Sequence, residues 1–364
     1  MKIAVLLQAS STVVKGGTEF QADLIMKEMV RAGHEVTCVS DSAGKPGPGL
    51  EGVRYRYLRG RGRRLSLLNF CSLRRELDRI DPQIIYQRYR VPYTGMAAWY
   101  ARRKPCKMVF GIANVRDPRK NKVPLNKMFL FHFINEHVGR YGVRNCDTIV
   151  AQTFHQKKIL EREFGRDCVV IRNGHPVPQP PFEKSSPPEI IWVSNIKHIK
   201  RLELFFDLAA RLEDIPARFV YVGRSSANPY QKMLDEKAKN LANVSRLGEL
   251  SYDRTNAMIA QASLLVNTSV SEGFPNTFIQ AWLRETPVVS LAADPDGILE
   301  KQGIGFRSGS FEKFVTDVRS LIEDEDKRMR MGKKARAYAK EHHDIAKTGK
   351  EYLRLFEKLA GEEK

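Results

Sequence analysis

Short apolar runs punctuate this chain, and each is followed by a helical stretch and then another run. The first is Lys2-Ile3-Ala4-Val5-Leu6-Leu7. It does not alternate polar and apolar residues, as a strand with one wet face would. A continuous run of this length marks a strand buried on both faces of a parallel sheet. A polar loop leads into Lys15-Gly16-Gly17-Thr18-Glu19-Phe20-Gln21. Thr18 and Gln21 have the spacing of a capping box. Ala22, Ile25 and Met29 then fall on one helical face, with Leu24 beside them. Gly33 takes the place of a helix C-terminal glycine, and Glu35 to Ser40 is the next strand. A strand, glycine loop, helix and strand in this order make a parallel unit with a right-handed crossover.

The alternation continues through Ile84-Ile85-Tyr86, Met108-Val109-Phe110, Thr148-Ile149-Val150 and Val169-Val170-Ile171. Composition then shifts: His175 to Pro188 holds six prolines in fourteen residues. Such a stretch is extended and marks a domain boundary. A second alternating half follows, with strands at Ile190 to Val193, Phe219 to Gly223, Leu264 to Val266 and Pro287 to Ser290, and a helix from Leu202 to Leu212. The tail from Phe311 reads as helical, with a last helix from near Asp344 to Leu359. The fold class is α/β. The expected division is residues 1–182, ending in the proline-rich linker 175–188, then residues 183–343. A C-terminal helix, 344–364, is expected to pack back toward the first domain.

Composition fits this reading. The 364 residues are 42% hydrophobic and 28% charged, which excludes wholesale disorder and leaves room for two buried cores. No run approaches the roughly 18 apolar residues of a membrane-spanning helix. The most apolar short stretch is Phe129-Leu130-Phe131-His132-Phe133-Ile134. Ile3 to Leu7 is too short for a signal-peptide core and reads as the first strand. The five cysteines are widely spaced and include no Cys-x-x-Cys pair, so neither a disulfide framework nor a zinc site is indicated. The expected location is the cytoplasm.

Charge separates the two halves. Residues 1–182 hold 32 basic and 15 acidic side chains, whereas the remainder holds 29 and 27. The richest segment, Arg54 to Arg64, has six arginines in eleven residues. A basic half-chain favours an anionic partner: phospholipid headgroups, a lipid pyrophosphate or nucleic acid. Tyr55 and Tyr57 between the arginines suit base stacking, but alternation with arginine is equally what a half-exposed strand gives, and that reading is preferred.

Three segments can carry chemistry. Gly16 and Gly17 precede a helix, where glycine lets backbone amides approach a phosphate; a plain tight turn accounts for them as well. Asn195-Ile196-Lys197-His198-Ile199-Lys200-Arg201 follows the first strand of the second half and delivers cations to a strand end, where lysines can neutralise a diphosphate. Ser271 to Trp282 is the sharpest. A strand leads into a turn with Glu272, Gly273 and Pro275, and then into a helix. Glu272 beside amides at a helix start suits a ligand with both hydroxyls and phosphates. Gln280, two helical turns on, is expected to face the same cleft.

Across its whole length the chain resembles the family 4 glycosyltransferases. The resemblance rests on Gly-Gly-x-Glu at Gly16 to Glu19, Val170 to Gly174, the loop ending at Lys200, Val244 to Gly248, and Glu-Gly-Phe-Pro-Asn at Glu272 to Asn276. It implies the GT-B fold: two Rossmann-like, doubly wound parallel-sheet domains facing a central cleft. It also implies retaining, hexosyl-type transfer from a nucleotide-diphosphate-sugar, with no cofactor and no metal.

The resemblance assigns the site residue by residue. Lys200 matches the lysine on the donor diphosphate, and Glu272 the acid at the transferred sugar. Both are the expected catalytic residues. The donor would also meet Gly16, Gly17, Asn195, Lys197, Gly223, Leu247, Gly273, Phe274, Pro275, Asn276, Thr277 and Gln280. Asn195 stands where many members have an arginine, with Lys197 or a protonated His198 as compensation. Gln280 replaces the second glutamate, which holds the ribose, and still offers a carbonyl acceptor. Met108 to Asp117 lacks the histidine that several members carry near the sugar. Arg88, Asn114 and Arg116 are the acceptor-side candidates.

The expected partners are a nucleotide-diphosphate-sugar, a glycan or polyprenyl-diphosphate-linked acceptor, and an anionic membrane surface. That makes a peripheral protein of the inner membrane face, in lipopolysaccharide, O-antigen or capsule assembly. Two alternatives stand beside this reading. One is a nucleotide-sugar-binding protein impaired in catalysis, which Asn195, Gln280 and the absent histidine favour. The other is a nucleic-acid-binding protein, which charge alone favours.

Overall fold

The structure, a computed structural model, describes residues 1–12, 16–41, 47–58, 68–120, 128–225 and 227–361. Lys15 and the arginine-rich stretch from Arg59 to Arg64 lie outside the described residues. The chain forms two compact units, residues 1–174 with 345–364, and residues 175–344.

The first unit is built on a parallel sheet. Its described strands are β1 (Lys2–Leu7), β2 (Glu35–Asp41), β3 (Val53–Leu58), β4 (Ile84–Arg88), β5 (Lys107–Gly111), β6 (Thr148–Ala151) and β7 (Val169–Val170). They lie in the order β3-β2-β1-β4-β5-β6-β7. The helices between them are α1 (Gly17–Arg31), α2 (Phe70–Ile80), α3 (Pro92–Ala101), α4 (Phe129–Asn145) and α5 (Phe154–Phe164). The run in β1 is buried on both faces. Ile3, Val5 and Leu7 enter one apolar cluster with Ala22, Ile25 and Met29, while Ala4 and Leu6 enter another with Leu73, Leu77 and Phe110. At the sheet edge β3 alternates as expected: Arg54 and Arg56 are exposed, and Tyr55 and Tyr57 are half-buried.

One local expectation fails. Thr18 and Gln21 do not take capping-box positions, because α1 already begins at Gly17 with Gly16 as its extended N-cap residue. Gln21 is buried and donates to the carbonyl of Gly174 at 3.0 Å. Gly33 does end the helix, with a left-handed φ of +84°.

The second unit carries β8 (Glu189–Val193), β9 (Arg218–Val222), β10 (Val244–Gly248), β11 (Leu264–Asn267), β12 (Val288–Ser290) and β13 (Gly305–Arg307), in the order β10-β9-β8-β11-β12-β13. Its helices are α6 (Leu202–Arg211), α7 (Pro229–Ala238), α8 (Tyr252–Gln261), α9 (Asn276–Trp282), α10 (Ile298–Gln302), α11 (Phe311–Glu323) and α12 (Glu325–His342). In β8, Ile190 and Trp192 pack with Phe205 and Phe206 on one face, and Ile191 with Phe278 and Trp282 on the other. The chain then returns to the first unit as α13 (Ile345–Ala360), whose Tyr352 and Phe356 join the cluster of Ile3 and Val5.

Residues 175–188 belong to the second unit, so the change of unit comes at Gly174 and not at 182. The reason is polar anchoring. The Lys184 ammonium donates to the carbonyls of Ala260 and Arg284 and to the Thr286 hydroxyl, and the Arg336 guanidinium donates to the carbonyl of Pro178.

In both sheets the chain works outward from a central strand and then returns to that strand's other side. The reversal falls between β1 and β4 in the first unit and between β8 and β11 in the second. Open α/β sheets bind ligands in the crevice beyond the carboxyl ends of two such strands.

Candidate active site

Lys200 follows β8 and Glu272 follows β11, the two strands that flank the reversal in the second sheet. Their side chains meet there as an ion pair, both largely buried. The loop that carries Lys200 is held from behind. The Trp192 indole donates to Thr268 Oγ1 at 3.0 Å, Thr268 donates to the Lys200 carbonyl at 2.7 Å, and the Val270 amide donates to the Ile199 carbonyl at 3.0 Å. Residues on the β11 side thus fix the backbone of the β8 side. Arg201 turns the chain out of the 3-10 turn His198–Lys200 with a left-handed φ of +51° and opens α6.

The same loop walls an open pocket of roughly 270 Å³ with Asn195, Lys197, His198, Arg224, Asn228 and Tyr230. Asn195, Lys197 and His198 are exposed. The His198 ring stacks on Tyr230 with centroids 3.8 Å apart, and Tyr230 donates its hydroxyl to Glu203. Among the described residues that line it are two cations, Lys197 and Arg224, and no carboxylate.

Gly223 sits at the end of β9, where its amide donates to the Gly248 carbonyl at 2.8 Å. A Cβ there would lie 1.8 Å from the Ser194 carbonyl oxygen, so the approach of these two strand ends needs glycine. Leu247 is the bulged residue between Arg246 and Gly248, and its apolar side chain is exposed at the strand end.

The turn from Glu272 to Thr277 divides its labour. Phe274 is core: its ring packs edge-on against Trp282 and beside His343. Pro275 is buried and precedes α9 in an extended conformation. Asn276 reaches the buried His175, whose Nδ1 also lies 3.2 Å from the Tyr252 hydroxyl. Burial pushes the His175 pKa down to about 3, so the ring is neutral. Gly273 and Thr277 are partly exposed. Gln280 is buried, and its amide donates to Asn256 Oδ1 on α8 at 3.0 Å.

In the first unit, Gly16 and Gly17 open α1 beyond β1. Arg88 ends β4 but turns inward. Its guanidinium is buried and donates to the Tyr86 hydroxyl at 3.0 Å and to Asn173 Oδ1 at 2.9 Å. Asn114 shapes its own loop: its side-chain oxygen accepts from the amides of Arg116 and Asp117. The Asp117 carboxylate is buried and accepts from the amides of Arg90, Ala113 and Asn114. Burial raises its pKa against the pull of those amides. Arg116 is exposed. Tyr89, which no motif or spacing singles out, follows β4 with a left-handed φ of +72° and an exposed ring. A non-glycine residue in that region is uncommon and draws attention to the strand end.

Residues 15–177 match the model of Glycosyltransferase Family 4, and residues 177–338 match that of Glycosyl transferases group 1. The chain belongs to the family 4, group 1 glycosyltransferase-like proteins. Its fold is GT-B. WaaG, a glycosyltransferase involved in lipopolysaccharide biosynthesis, superposes with a TM-score of 0.77 at 14% identity, over 97% of this chain and 99% of that one. HepE of Anabaena in complex with UDP and glucose gives 0.74 at 17% identity, over 98% and 100%. Among curated proteins, the sulfoquinovosyl transferase SQD2 of Arabidopsis thaliana is 30% identical over 169 residues. That match spans 45% of this chain and about a third of SQD2, 32%.

Proposed function

We propose that this protein is a retaining glycosyltransferase of hexosyl type. It takes a sugar from a nucleotide-diphosphate donor to a glycan or polyprenyl-diphosphate-linked acceptor in bacterial cell-surface polysaccharide assembly. The observation that carries the reading is the Lys200–Glu272 pair at the strand reversal of the second unit. HepE with UDP and glucose, and the lipopolysaccharide role in the WaaG description, support the donor and the setting.

The chemistry follows from the pair. A donor diphosphate offers Lys200 more negative charge than one carboxylate does, and competes for the ammonium. Once released, Glu272 accepts from hydroxyls of the sugar ring and orients it. As the anomeric carbon–oxygen bond breaks, negative charge builds on the departing phosphate, and Lys200 stabilises it there more than in the ground state. The acceptor hydroxyl attacks from the same face and gives its proton to the leaving phosphate. This accounts for the absence of a placed nucleophile from the scheme, and it draws on no metal. Lys197 and Arg224 extend the cationic wall beside the diphosphate. The basic first unit holds the acceptor and associates peripherally with the anionic inner face of the membrane.

The test is calorimetric titration of UDP, GDP and ADP, followed by donor turnover, in wild type and in Lys200→Ala. One nucleotide that binds wild type and weakens in the variant supports the donor site. Binding without any turnover, with or without acceptor extracts, favours the impaired-binder reading, for which the Gln280–Asn256 bond is the structural argument. Loss of binding to all three nucleotides in a folded protein removes the donor site.

A further inference from the structure

The first sheet carries a second concavity, at the amino ends of its strands and so at the end away from Gly16 and Gly17. Lys2 opens β1, Glu35 opens β2, and Arg54 is the second residue of β3. The parallel register sets Lys2 beside Glu35, Thr37 beside Arg54 and Val39 beside Arg56. Side chains alternate between the faces of a strand. Tyr55 packs into the cluster of Ile25 and Met29, so Arg54 and Arg56 point to the other face, where Leu73 and Leu77 of α2 are buried. Between that face and the end of α2 lies a pocket of roughly 150 Å³. Lys2, Glu35, Thr37, Arg54 and Arg56 line it from the sheet, and Arg79 and Ile80 line it from the helix.

Four cations therefore surround one hollow with a single carboxylate among them. Glu35 is taken by Arg54 at 3.2 Å, and Arg79 pairs with Glu76 at 2.6 Å, which is not part of the lining. Among the described residues, neither the Lys2 ammonium nor the Arg56 guanidinium has a hydrogen-bond or ion-pair partner. Thr37 is only 5% exposed, and its hydroxyl has no partner among the described residues either. Buried polar side chains are ordinarily satisfied. Charge on an edge strand guards it against pairing with other sheets, which accounts for Arg54 and Arg56. It does not account for Lys2, on a strand inside the sheet, or for Arg79, on a helix. Like charges around one hollow repel, and an anion in it relieves the repulsion. The carbonyl end of α2 opposes an anion with about half a charge, which the four cations outweigh.

The chemistry of the lining selects the anion. Guanidinium forks match the oxygens of a phosphoryl group, an ammonium adds a point charge, and a hydroxyl donates one further bond. The volume lies below the roughly 300 Å³ at which pockets for drug-sized ligands begin, so it suits a small anion and not a nucleotide. Ile80 is the one large apolar side chain of the lining, which gives an acyl chain little to meet.

We propose that this pocket is a binding site for a small soluble phosphorylated anion, held by Lys2, Thr37, Arg54 and Arg56. It is separate from the donor site, whose cations Lys197, Lys200 and Arg224 all belong to the second unit. Within the first unit, the six residues of β1 put it about 20 Å from the strand ends that face Gly16 and Gly17. The proposal requires no part of the transferase reading.

The experiment is calorimetric titration of inorganic phosphate and pyrophosphate in a HEPES buffer. Lys200→Ala is the background, because pyrophosphate also competes for Lys200. Lys2→Gln/Arg56→Gln and Thr37→Val are then added to it. Lys2 and Arg56 are exposed and leave no partner behind, and urea unfolding checks that each fold is kept. The expected result is one pyrophosphate bound per chain in Lys200→Ala, at least about tenfold weaker with the two glutamines and about two- to tenfold weaker with Thr37→Val. Pyrophosphate should raise the Tm of Lys200→Ala and not that of the variant with both glutamines. UDP affinity should be the same in wild type and in Lys2→Gln/Arg56→Gln with Lys200 intact. No binding of either anion by Lys200→Ala, or binding that the glutamines leave unchanged, overturns the proposal. UDP binding that weakens with the glutamines shows one site and not two, and overturns it as well. Displacement of pyrophosphate by an equal concentration of chloride means an adventitious ion only. Co-sedimentation with phosphatidylglycerol vesicles that the glutamines abolish, without binding of the soluble anions, overturns the proposal in favour of a lipid headgroup.

Discussion

Lys200 and Glu272 are 72 residues apart in the chain and form an ion pair. The sheet order explains why. β8 and β11 are neighbours only because the chain goes out to β10 and then crosses back. The residues that follow the two strands therefore converge at one crevice. The functions of the pair separate on mutation. Lys200→Ala removes charge-assisted bonds to a diphosphate and should weaken nucleotide binding by about 1.5–3 kcal/mol, roughly ten- to a hundredfold. Glu272→Gln should leave nucleotide affinity within a few-fold and lower turnover by about 10²-fold or more. Calorimetry and a donor-turnover assay read the two effects. Near-normal transfer by Glu272→Gln would remove that residue from the chemistry.

Gln280 and Asn256 test how the donor's ribose is held. Gln280→Ala leaves the buried Asn256 without its Gln280 partner and should cost about 1–3 kcal/mol, read as a shift in the urea midpoint. Gln280→Glu restores the residue type of the resembling family and lets Asn256 turn its amide toward the new carboxylate. Nucleotide affinity should then rise by up to about tenfold, as expected of a stronger, charged acceptor. An unchanged affinity would mean that Gln280 serves the α8–α9 contact and no ligand.

Some of this was legible in the sequence and some was not. The strand ends were, because β1, β8 and β11 are continuous apolar runs, and the loops that follow them can be found by counting. Glu272 and Lys200 stand out at once when the loops are located. Arg88 is an acceptor-side candidate in the sequence, but the fold takes it up internally. Its acceptor Asn173 lies 85 residues downstream and comes near only through the fold. The Gln280–Asn256 bond was hidden for the same reason, since nothing local pairs α8 with α9. The aromatic run at Phe129 registered only as too short to span a membrane. Which of its sides faces outward depends on Gly95 and Gly142, where α3 and α4 touch backbone to backbone, and a glycine's packing partner cannot be read from spacing.

Arg88 separates a structural role from a ligand role. Its guanidinium ties β4 to Asn173, close to the point where the chain leaves the first unit. Arg88→Met keeps the length of the side chain but removes the hydrogen bonds to Tyr86, Tyr352 and Asn173, and should destabilise the protein by about 2–4 kcal/mol, since buried partners lose a charged donor. Nucleotide binding by the folded fraction should not change. A variant of normal stability with a raised acceptor KM would instead return Arg88 to the acceptor site.

His175 gives the fold a dependence on pH. The ring is buried, and its pKa falls to about 3 from an ordinary value of 6.5. Between these values the unfolded chain binds a proton that the folded chain refuses, so acid favours unfolding. The stabilising contribution is fully present above about pH 6.5 and is lost as pH falls toward 3, with a slope approaching about 1.4 kcal/mol per pH unit. His175→Gln keeps a polar side chain near Tyr252 and Asn276 but cannot take up a proton. The variant should be less stable than wild type at pH 8, by about 1 kcal/mol for imperfect hydrogen bonds. It should lose less stability than wild type between pH 7 and pH 5, as measured by urea unfolding at each pH. Parallel pH profiles for the two proteins would show that His175 is charged in the folded state, or that other groups govern acid unfolding.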